Sequence, residues 1–285
     1  MRKRSINFFG FLALVSLLMA FSYPSLVPTP VTTTPSHPLS SCTSENSTFV
    51  DGEQITYKLF YNWKFVWVAA GEVTFRVKDT GAQYYISAVG RTYKSYDPFF
   101  KVRDTYECYI DKQTLLPEVA IRTVEEGKYR LYDKVTFDRK NGKAKSLRGK
   151  SKEVAKVTEY PITDCIHDLL SIVYFARNID FDNMNAGEKI PVNLFMDKET
   201  WPLSVTYRGK QEKTRIKGNG KFKTLHFSPQ VIAGEYFKEG TEMNIFVSDD
   251  QNRLPLIIES PLSVGSVKAV LKNYKGLKYE MKADL

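Results

Sequence analysis

The sequence predicts a mostly β protein, in which an antiparallel curved sheet or incomplete β-barrel surrounds one amphipathic helix at about residues 163–180. Three observations lead to this fold class. Apolar and polar residues alternate along most of the chain after residue 48. Short turn signals such as Asn141-Gly142 separate the alternating runs, which favours antiparallel neighbours. One stretch alone changes to helical spacing.

Period-two alternation defines the individual strands. The first predicted strand carries bulky apolar residues on one face, namely Ile55, Tyr57, Leu59, Tyr61 and Trp63. In the next strand, Val73, Phe75 and Val77 alternate with charged and polar residues. Such runs are typical of half-buried strands, and comparable runs recur between residues 84 and 137 and between residues 190 and 271.

The predicted helix divides these strands into two groups. Between Asp164 and Ile179 the apolar residues fall close to helical spacing, and Thr163 or Asp164 is the candidate cap. The sheet can bury its own apolar face and that of the helix either by curling around the helix or by placing the helix over an open edge.

The N-terminal segment predicts export. Arg2, Lys3 and Arg4 precede an apolar run over residues 6–21, which is the layout of a secretory signal peptide, here assigned to residues 1–22. Residues 23–47 are rich in Pro, Thr and Ser and predict an extended tether. Residues 48–285 then form the β-rich domain of a protein located in the periplasm or on the surface of a bacterium.

The charge balance gives no support to nucleic acid as a partner. Without the three basic residues of the signal peptide, the 41 Lys and Arg become 38 against 32 Asp and Glu, a formal charge of +6. The densest basic run lies between Arg208 and Lys217 and is interrupted by Glu212. Its spacing is typical of a solvated strand face.

Three cysteines, Cys42, Cys108 and Cys165, allow at most one internal disulfide in an oxidising compartment. The pair Cys108–Cys165 is the candidate, because both residues lie in the predicted domain. Cys42 follows Leu39-Ser40-Ser41, which is similar to a lipoprotein acylation box, but the tether separates it from the apolar run. Membrane association is therefore expected only through an uncleaved signal or a lipidated Cys42.

A search for catalytic and metal-binding motifs yields none. The chain has no Gly-x-Ser-x-Gly, His-Glu-x-x-His, Cys-x-x-Cys or phosphate-binding glycine loop, so we predict no catalytic residue, no metal and no cofactor. Cys165, His167 and Asp168 are close in sequence, but side chains one or two positions apart on a helix do not face each other.

Aromatic residues provide the candidate ligand-binding surface. They exceed what a half-buried strand requires around residues 61–68, and more follow in a predicted loop: Tyr61, Trp63, Phe65, Trp67, Tyr93, Phe99 and Phe100. Such rings either pack in a core or line a groove or partner surface. A candidate polar cluster consists of Arg91, Arg103 and Asp104, for which a structural ion pair is the alternative interpretation.

Five segments together resemble the DUF3108 family of bacterial exported proteins. They are Gly52–Tyr57, Ala69–Val73, Phe100–Asp111, Asp168–Phe175 and Arg253–Pro255. An Asp-containing turn followed by Leu-Pro, at residues 116–117 and 254–255, is also similar to the hairpins of periplasmic lipoprotein carriers of the LolA and LolB kind, a remote likeness of fold. In those carriers an incomplete β-barrel surrounds a helix and holds acyl chains. The DUF3108 resemblance implies class and compartment, and it implies no defined activity.

Two hypotheses about function follow, together with a third that the residues do not support. The first is a non-catalytic envelope protein that binds an apolar or lipid-like ligand, a lipid or lipoprotein, in a groove between sheet and helix. The second is a structural or interaction protein with a filled core, which contacts an envelope protein partner through strand edges and the basic 208–223 region. An enzyme acting on polysaccharide or peptidoglycan would need an accessible carboxylate pair, and the sequence shows none. An internal cavity would distinguish the first hypothesis from the second.

Overall fold

A computed structural model describes residues 44–63, 66–216, 219–232, 237 and 239–281. The predicted signal peptide, Cys42 and Phe65 lie outside the described residues, as does the side chain of Trp63.

The described chain is dominated by β-strands. They are β1 (Gln54–Trp63), β2 (Val66–Asp79), β3 (Gln83–Thr92), β4 (Arg103–Asp111), β5 (Pro117–Glu126), β6 (Tyr129–Asp138), β7 (Lys143–Gly149), β8 (Lys156–Pro161), β9 (Ile166–His167), β10 (Lys189–Met196), β11 (Glu199–Ile216), β12 (Gly220–Pro229), β13 (Asn244–Ser248), β14 (Pro255–Pro261) and β15 (Ser266–Lys275). One α-helix, α1 (Leu169–Ala176), follows β9, and short 3₁₀ turns occupy Arg139–Asn141 and Lys152–Val154.

All the strands belong to one sheet. Its order is β8-β7-β6-β5-β4-β3-β2-β1-β15-β14-β13-β12-β11-β10-β9, so two meanders, β1–β8 and β10–β15, are joined by the pairing of β1 with β15. Neighbours are antiparallel except for the short parallel pair of β9 and β10. The predicted mostly β fold with an antiparallel curved sheet is therefore confirmed, and β8 and β9 are the two free ends of the described sheet.

Strand alternation sets the inner face of the sheet. On β1, Ile55, Tyr57, Leu59 and Tyr61 are all buried in the main core, as the period-two pattern predicts. Tyr57 Oη donates a hydrogen bond to the Pro255 carbonyl at 2.8 Å, so this inward phenol also joins the first meander to the second. A one-residue slip of register would turn this whole set of side chains to the outer face.

The two ends of the sheet approach each other through aromatic packing. Phe195 on β10 contacts Phe137 on β6 and Tyr160 on β8, with ring centroids 6.0 and 5.9 Å apart. Ile166 on β9 is buried in the same cluster. Because strands near opposite ends of the order meet side by side, the sheet is curled into an incomplete barrel.

Ion pairs reinforce this contact at the β10–β11 turn. Asp197 in that turn binds Arg122 at 2.7 Å and Arg148 at 2.8 Å, and both arginines also bind Asp133 at 2.8 and 2.6 Å. Asp133 is buried on β6, and the paired arginines lower the pKa of its carboxyl. The hairpin of the second meander is thereby fixed on the first.

The helix is shorter than the predicted 163–180 segment. Ile166 and His167 pair with Asn193 and Leu194 on β10 as β9, so the chain is extended where helix was expected. The predicted caps at Thr163 and Asp164 are therefore wrong. Among the described helices, none is long and apolar enough to cross a bilayer.

Asp168 is the N-cap of α1. Its side chain accepts hydrogen bonds from the backbone N–H groups of Leu170 at 3.1 Å and Ser171 at 3.0 Å, and the Ser171 hydroxyl accepts one from the Asp168 N–H at 2.9 Å. This reciprocal arrangement satisfies donors that a helix start leaves free.

The last residues assigned to the tether contact the end of the helix. Asn178, just after α1, accepts a hydrogen bond at its Oδ1 from the Ser47 N–H at 2.7 Å and one at its carbonyl from the Ser44 hydroxyl at 3.2 Å. The predicted boundary between tether and domain at residue 48 stays a prediction.

The predicted disulfide between Cys108 and Cys165 is wrong. Cys108 is a free, buried thiol on β4 whose Sγ donates to Asp168 Oδ1 at 3.0 Å, whereas Cys165 is disulfide-bonded. The Cys108 side chain faces the helix cap inside the barrel, while Cys165 is only half-buried before β9.

Disulfide mapping should find Cys165 oxidised and Cys108 reduced. The chain has three cysteines, so Cys42 is the remaining candidate partner of Cys165. We expect mass spectrometry of a non-reduced digest, after export into an oxidising compartment, to give a linked Cys42–Cys165 peptide. Alkylation of Cys108 should require unfolding. A linked Cys108–Cys165 peptide would contradict this assignment.

Candidate functional site

A cavity of about 300 Å³ lies between α1 and the inner face of the sheet. This volume is at the lower end of the roughly 300–1,000 Å³ that is usual for small-molecule sites. Both meanders contribute to its wall: the first through Ile55, Tyr57, Val73, Phe75, Ala88 and Tyr106, the second through residues such as Ile190, Val192, Leu203, Phe227, Ile245, Ile258 and Ala269.

The wall of the cavity is almost entirely apolar. From the helix it receives Leu169, Ile172, Val173 and Ala176, and these four are not fully buried. Val173 is 37% exposed although it faces other aliphatic side chains. Apolar surface left in contact with water is unfavourable, so an apolar molecule in this space would gain free energy.

Small residues on central strands leave room for the cavity. Ala88 on β3 and Ala269 on β15 are both in its wall and both fully enclosed by the fold. A larger side chain at either position would project toward α1, because successive residues on a strand alternate faces. These alanines therefore leave space between α1 and the sheet.

The start of α1 is fixed by the buried pair of Cys108 and Asp168. Burial raises the pKa of the Cys108 thiol well above its usual range, and the Asp168 carboxylate raises it further. A thiol in this state is a structural hydrogen-bond donor, since nucleophilic cysteines need a lowered pKa. The described residues contain no group of three or more His, Cys, Asp or Glu that could hold a metal ion.

The end of α1 is fixed by a buried ion pair. Arg177 binds Glu53 through two parallel contacts, Nη1 to Oε1 at 2.6 Å and Nη2 to Oε2 at 2.8 Å. Its Nε donates to the Asn252 carbonyl at 3.1 Å, and Nη2 also donates to the Thr48 carbonyl at 3.2 Å. The two side chains are 3% and 0% exposed. Glu53 precedes β1 and Asn252 precedes β14, so the pair holds the helix against both meanders.

Few polar groups reach the cavity. Burial raises the pKa of Tyr57, Tyr106 and Tyr174, so these phenols stay neutral at physiological pH. Ser204 and Gln230 are hydrogen-bonded to each other: the Gln230 N–H donates to the Ser204 carbonyl at 2.9 Å, and the Ser204 N–H donates to Gln230 Oε1 at 3.2 Å. Among the lining residues, the charged side chains are Arg177 and Arg253.

Among the aromatic residues predicted to bind ligand, those whose side chains the structure describes do not line this cavity: Tyr61, Trp67, Tyr93, Phe99 and Phe100. Tyr61 is buried and donates to the Val264 carbonyl at 3.1 Å, and Tyr93 donates to Glu72. Phe100 packs against the main core. Trp67 and Phe99 are 42% and 71% exposed, so ligand binding by these two rings stays a prediction.

The cavity lies where the sequence predicted a groove, between sheet and helix, but its lining residues were not identified, because they come from segments far apart in the chain. Ile55 and Ile245, for example, are on β1 and β13 and give only the usual signal of core residues. The feature of the sequence that could have indicated the cavity is the pair of inward-facing alanines, Ala88 and Ala269. Two alanines indicate free space inside the sheet only when the order of the strands is known.

The predicted polar cluster of Arg91, Arg103 and Asp104 is not assembled. Arg103 lies opposite Arg91 in the β3–β4 register and pairs with Asp97 at 2.5 Å. Asp104 points to the other face, where it is fully buried and accepts a hydrogen bond from the Glu125 N–H at 2.9 Å. Burial raises the pKa of Asp104 to about 6. Arg103 and Asp104 point to opposite faces of the sheet because successive residues on a strand alternate faces.

In the part of the chain that the structure describes, fold and site together define a β-barrel-like protein with one helix and an apolar cavity. The family described as "Protein of unknown function (DUF3108)" matches residues 56–272, and the chain belongs to that family. The predicted family resemblance is thus confirmed. No curated protein matches the chain.

Solved structures support the fold. The chain is similar to the β-barrel-like protein of the domain of unknown function DUF1849 from Brucella abortus, with a TM-score of 0.54 and 10% identity over 80% of this chain and 98% of that chain. At this identity the likeness concerns the fold alone.

Two further structures are more distant. One is a Bacteroides fragilis protein described as exported, with a YmcC-like fold (TM-score 0.32, 10% identity, 81% of this chain and 99% of that chain). The other is described as a lipoprotein from Parabacteroides distasonis (TM-score 0.30, 11% identity, 81% and 100%). Neither carries an argument here, and the likeness to LolA and LolB carriers stays a prediction.

Removal of one partner of the Arg177–Glu53 pair should strongly destabilise the protein. In Arg177→Met the Glu53 carboxylate stays buried without its cation, which costs about 3–5 kcal/mol. The control is Arg208→Met, which breaks the exposed pair with Glu242 and should cost about 1 kcal/mol or less. Urea unfolding at neutral pH measures both. Equal costs for the two variants would contradict the role given to Arg177.

Acid should destabilise the protein through His167. Burial, and secondarily the nearby Arg139, lower the pKa of His167 to about 3 from an ordinary value near 6.5. Between these values the unfolded chain binds a proton that the folded chain does not, so stability falls as the pH decreases from about 6.5 toward about 3.

His167→Phe should remove this contribution while keeping the ring contact with Phe175. As the pH decreases from about 6.5 toward about 3, the free energy of unfolding of the wild-type protein should fall by up to about 1.4 kcal/mol per pH unit more than that of the variant. Urea midpoints measured at several pH values from 7 to 4 test this. Parallel curves for the two proteins would show that His167 is protonated equally in both states.

Proposed function

We propose that this protein is an exported, non-catalytic envelope protein that binds an apolar or lipid-like ligand in the cavity between α1 and the sheet. The single observation that carries the proposal is the almost entirely apolar wall of that cavity. Protein interiors are normally packed with few voids larger than a water molecule. A space of about 300 Å³ with such a wall supports the binding of an apolar ligand.

The rigidity of the site supports the same function. The helix is bound at its start through Asp168 and Cys108 and at its end through Arg177 and Glu53, and all four groups are buried. Because these contacts already fix the helix, the residues around the cavity do not have to become ordered when a ligand binds. Binding then costs less conformational entropy than it would in a flexible cleft.

Export supports an envelope ligand. Residues 1–22 have the layout of a secretory signal, and the family match covers most of the chain that follows. Lipids and lipid-bearing components are the abundant apolar molecules of the compartment that such a signal implies. A carrier or sensor of these molecules needs an apolar cavity and no catalytic group.

A specific observation also favours the second candidate, an interaction protein. Val66, Trp67 and Val68 are consecutive on β2 and all exposed, so both faces of this strand end are apolar. Exposed apolar patches are typical of partner or membrane contacts. This patch is separate from the cavity, so one protein could have both properties.

The direct test is mass spectrometry of an organic extract from protein purified without detergent after native expression. We expect a stoichiometric lipid-like molecule in the wild-type extract. Val173→Trp and Ala176→Phe should each remove this molecule, because each replaces a small aliphatic side chain of the cavity wall with a bulky ring. The double variant Trp67→Ala, Phe99→Ala is the matched control and should keep it, since neither ring lines the cavity.

Circular dichroism and thermal melting verify that each variant is folded, because overpacking alone costs about 1–3 kcal/mol. A wild-type extract without any ligand would count against the carrier function and favour the interaction function, to be followed by crosslinking. Loss of ligand only in the Trp67→Ala, Phe99→Ala variant would move the site to the exposed rings.

A further inference from the structure

Arg253 is a cavity-lining cation with an unused buried donor. It follows the turn between β13 and β14, and its Nη1 is buried without a hydrogen-bond partner. The ion-pair contacts of its guanidinium group are long: 4.0 Å from Nη1 to Asp249 and 3.4 Å from Nη2 to Asp182. Unpaired buried donors are costly, so this group is suited to an acceptor from outside the chain.

The other cation of the wall is already neutralised. Arg177 uses Nε, Nη1 and Nη2 in bonds to Glu53, Asn252 and Thr48. Its charge is balanced by the paired carboxylate, so it attracts a ligand anion weakly. Of the two cations in the wall, Arg253 is therefore the one with a donor to offer.

The acids near Arg253 hold it loosely. Asp249 is shared with Lys210, whose Nζ is 3.2 Å away. Asp182 is 68% exposed, so water screens its contact with the guanidinium. The Phe181 ring is 5.9 Å from the guanidinium carbon and packs beside it in the cavity wall.

The turn itself does not require arginine. The equivalent hairpin between β4 and β5 has Leu115 in the same place, immediately before Leu-Pro and with the same left-handed backbone (φ 57° against 49° for Arg253). In both turns an Asp side chain, Asp111 or Asp250, accepts a hydrogen bond from the backbone N–H two residues later. A leucine satisfies this geometry, so the guanidinium needs another explanation.

We propose that Arg253 binds the anionic headgroup of a single-chain lipid whose hydrocarbon chain occupies the cavity. The headgroup is a carboxylate or a phosphate, because the planar guanidinium binds either with two parallel hydrogen bonds. The anion accepts a hydrogen bond from the unused Nη1 of Arg253, and it replaces Asp182 as the partner of Nη2. This inference rests on the proposed function and adds the chemical class of the ligand.

The test compares three probes of equal chain length: palmitate, lysophosphatidate with a palmitoyl chain, and hexadecanol. Each displaces a fluorescent apolar dye from the full-length protein. We expect an anionic probe to bind at least about 10-fold more tightly than hexadecanol, as a charge-assisted hydrogen bond implies. Leu115 shows that a leucine suits this turn. In Arg253→Leu the preference for an anionic probe should therefore disappear, while the affinity for hexadecanol stays within about two-fold.

Arg208→Leu is the matched control, because Arg208 is exposed, pairs with Glu242 and does not line the cavity. It should leave all three affinities unchanged. If Arg253→Leu fails to fold, Arg253→Gln removes the charge with a polar side chain. Whichever anionic probe binds more tightly identifies the headgroup as carboxylate or phosphate.

Two results would overturn the headgroup assignment and leave the proposed function intact. One is equal binding of hexadecanol and both anions to the wild-type protein. The other is an equal loss for all three probes in Arg253→Leu, which would indicate a structural role. Failure of every probe to displace the dye would instead contradict the proposed function itself.

Discussion

The buried ion pair between Arg177 and Glu53 is the interaction on which the rest of the structure depends. The helix is only Leu169–Ala176, too short to be stable alone, so tertiary contacts must hold it. Arg177 gives it bonds to residues that begin the first meander and to the Asn252 turn of the second. A desolvated charge pair is tolerated only with such complete hydrogen bonding. The helix therefore has one position inside the curled sheet, and the cavity exists because that position leaves part of the sheet uncovered.

Closure of the sheet depends on a second set of buried charges. Asp197 at the β10–β11 turn binds Arg122 and Arg148 of the first meander, and Phe195 beside it packs on Phe137. These contacts act between strands that are far apart in the hydrogen-bonded order. The barrel is thus completed by side chains where backbone pairing ends, which allows an interior that is not filled. Polar contacts fix the frame, and the largely apolar wall between them surrounds the proposed ligand site.

Much of the fold could be predicted from the sequence, because period-two alternation and turn signals are local. Ile55, Tyr57, Leu59 and Tyr61 are buried as that pattern predicts, and one helix does divide two groups of strands. The helix start was predicted too early, since the extended pairing of Ile166 with Asn193 is a long-range contact. The lining of the predicted groove could not be identified for the same reason: bulky rings such as Phe99 stand out in a sequence, whereas the wall of a cavity depends on the positions of distant apolar residues. The role of Arg253 became visible only through its unused donor and the comparison with Leu115.

A crystal structure of the protein purified from its native compartment without detergent tests the central claim most directly. The account predicts continuous, elongated electron density in the cavity between α1 and strands β10–β14, with its polar end beside Arg253. It also predicts that Arg177 and Glu53 keep their paired geometry around the bound molecule. A cavity closed by movement of α1 onto the sheet, or filled only by separate ordered waters, would contradict the claim that this protein is built around an apolar ligand.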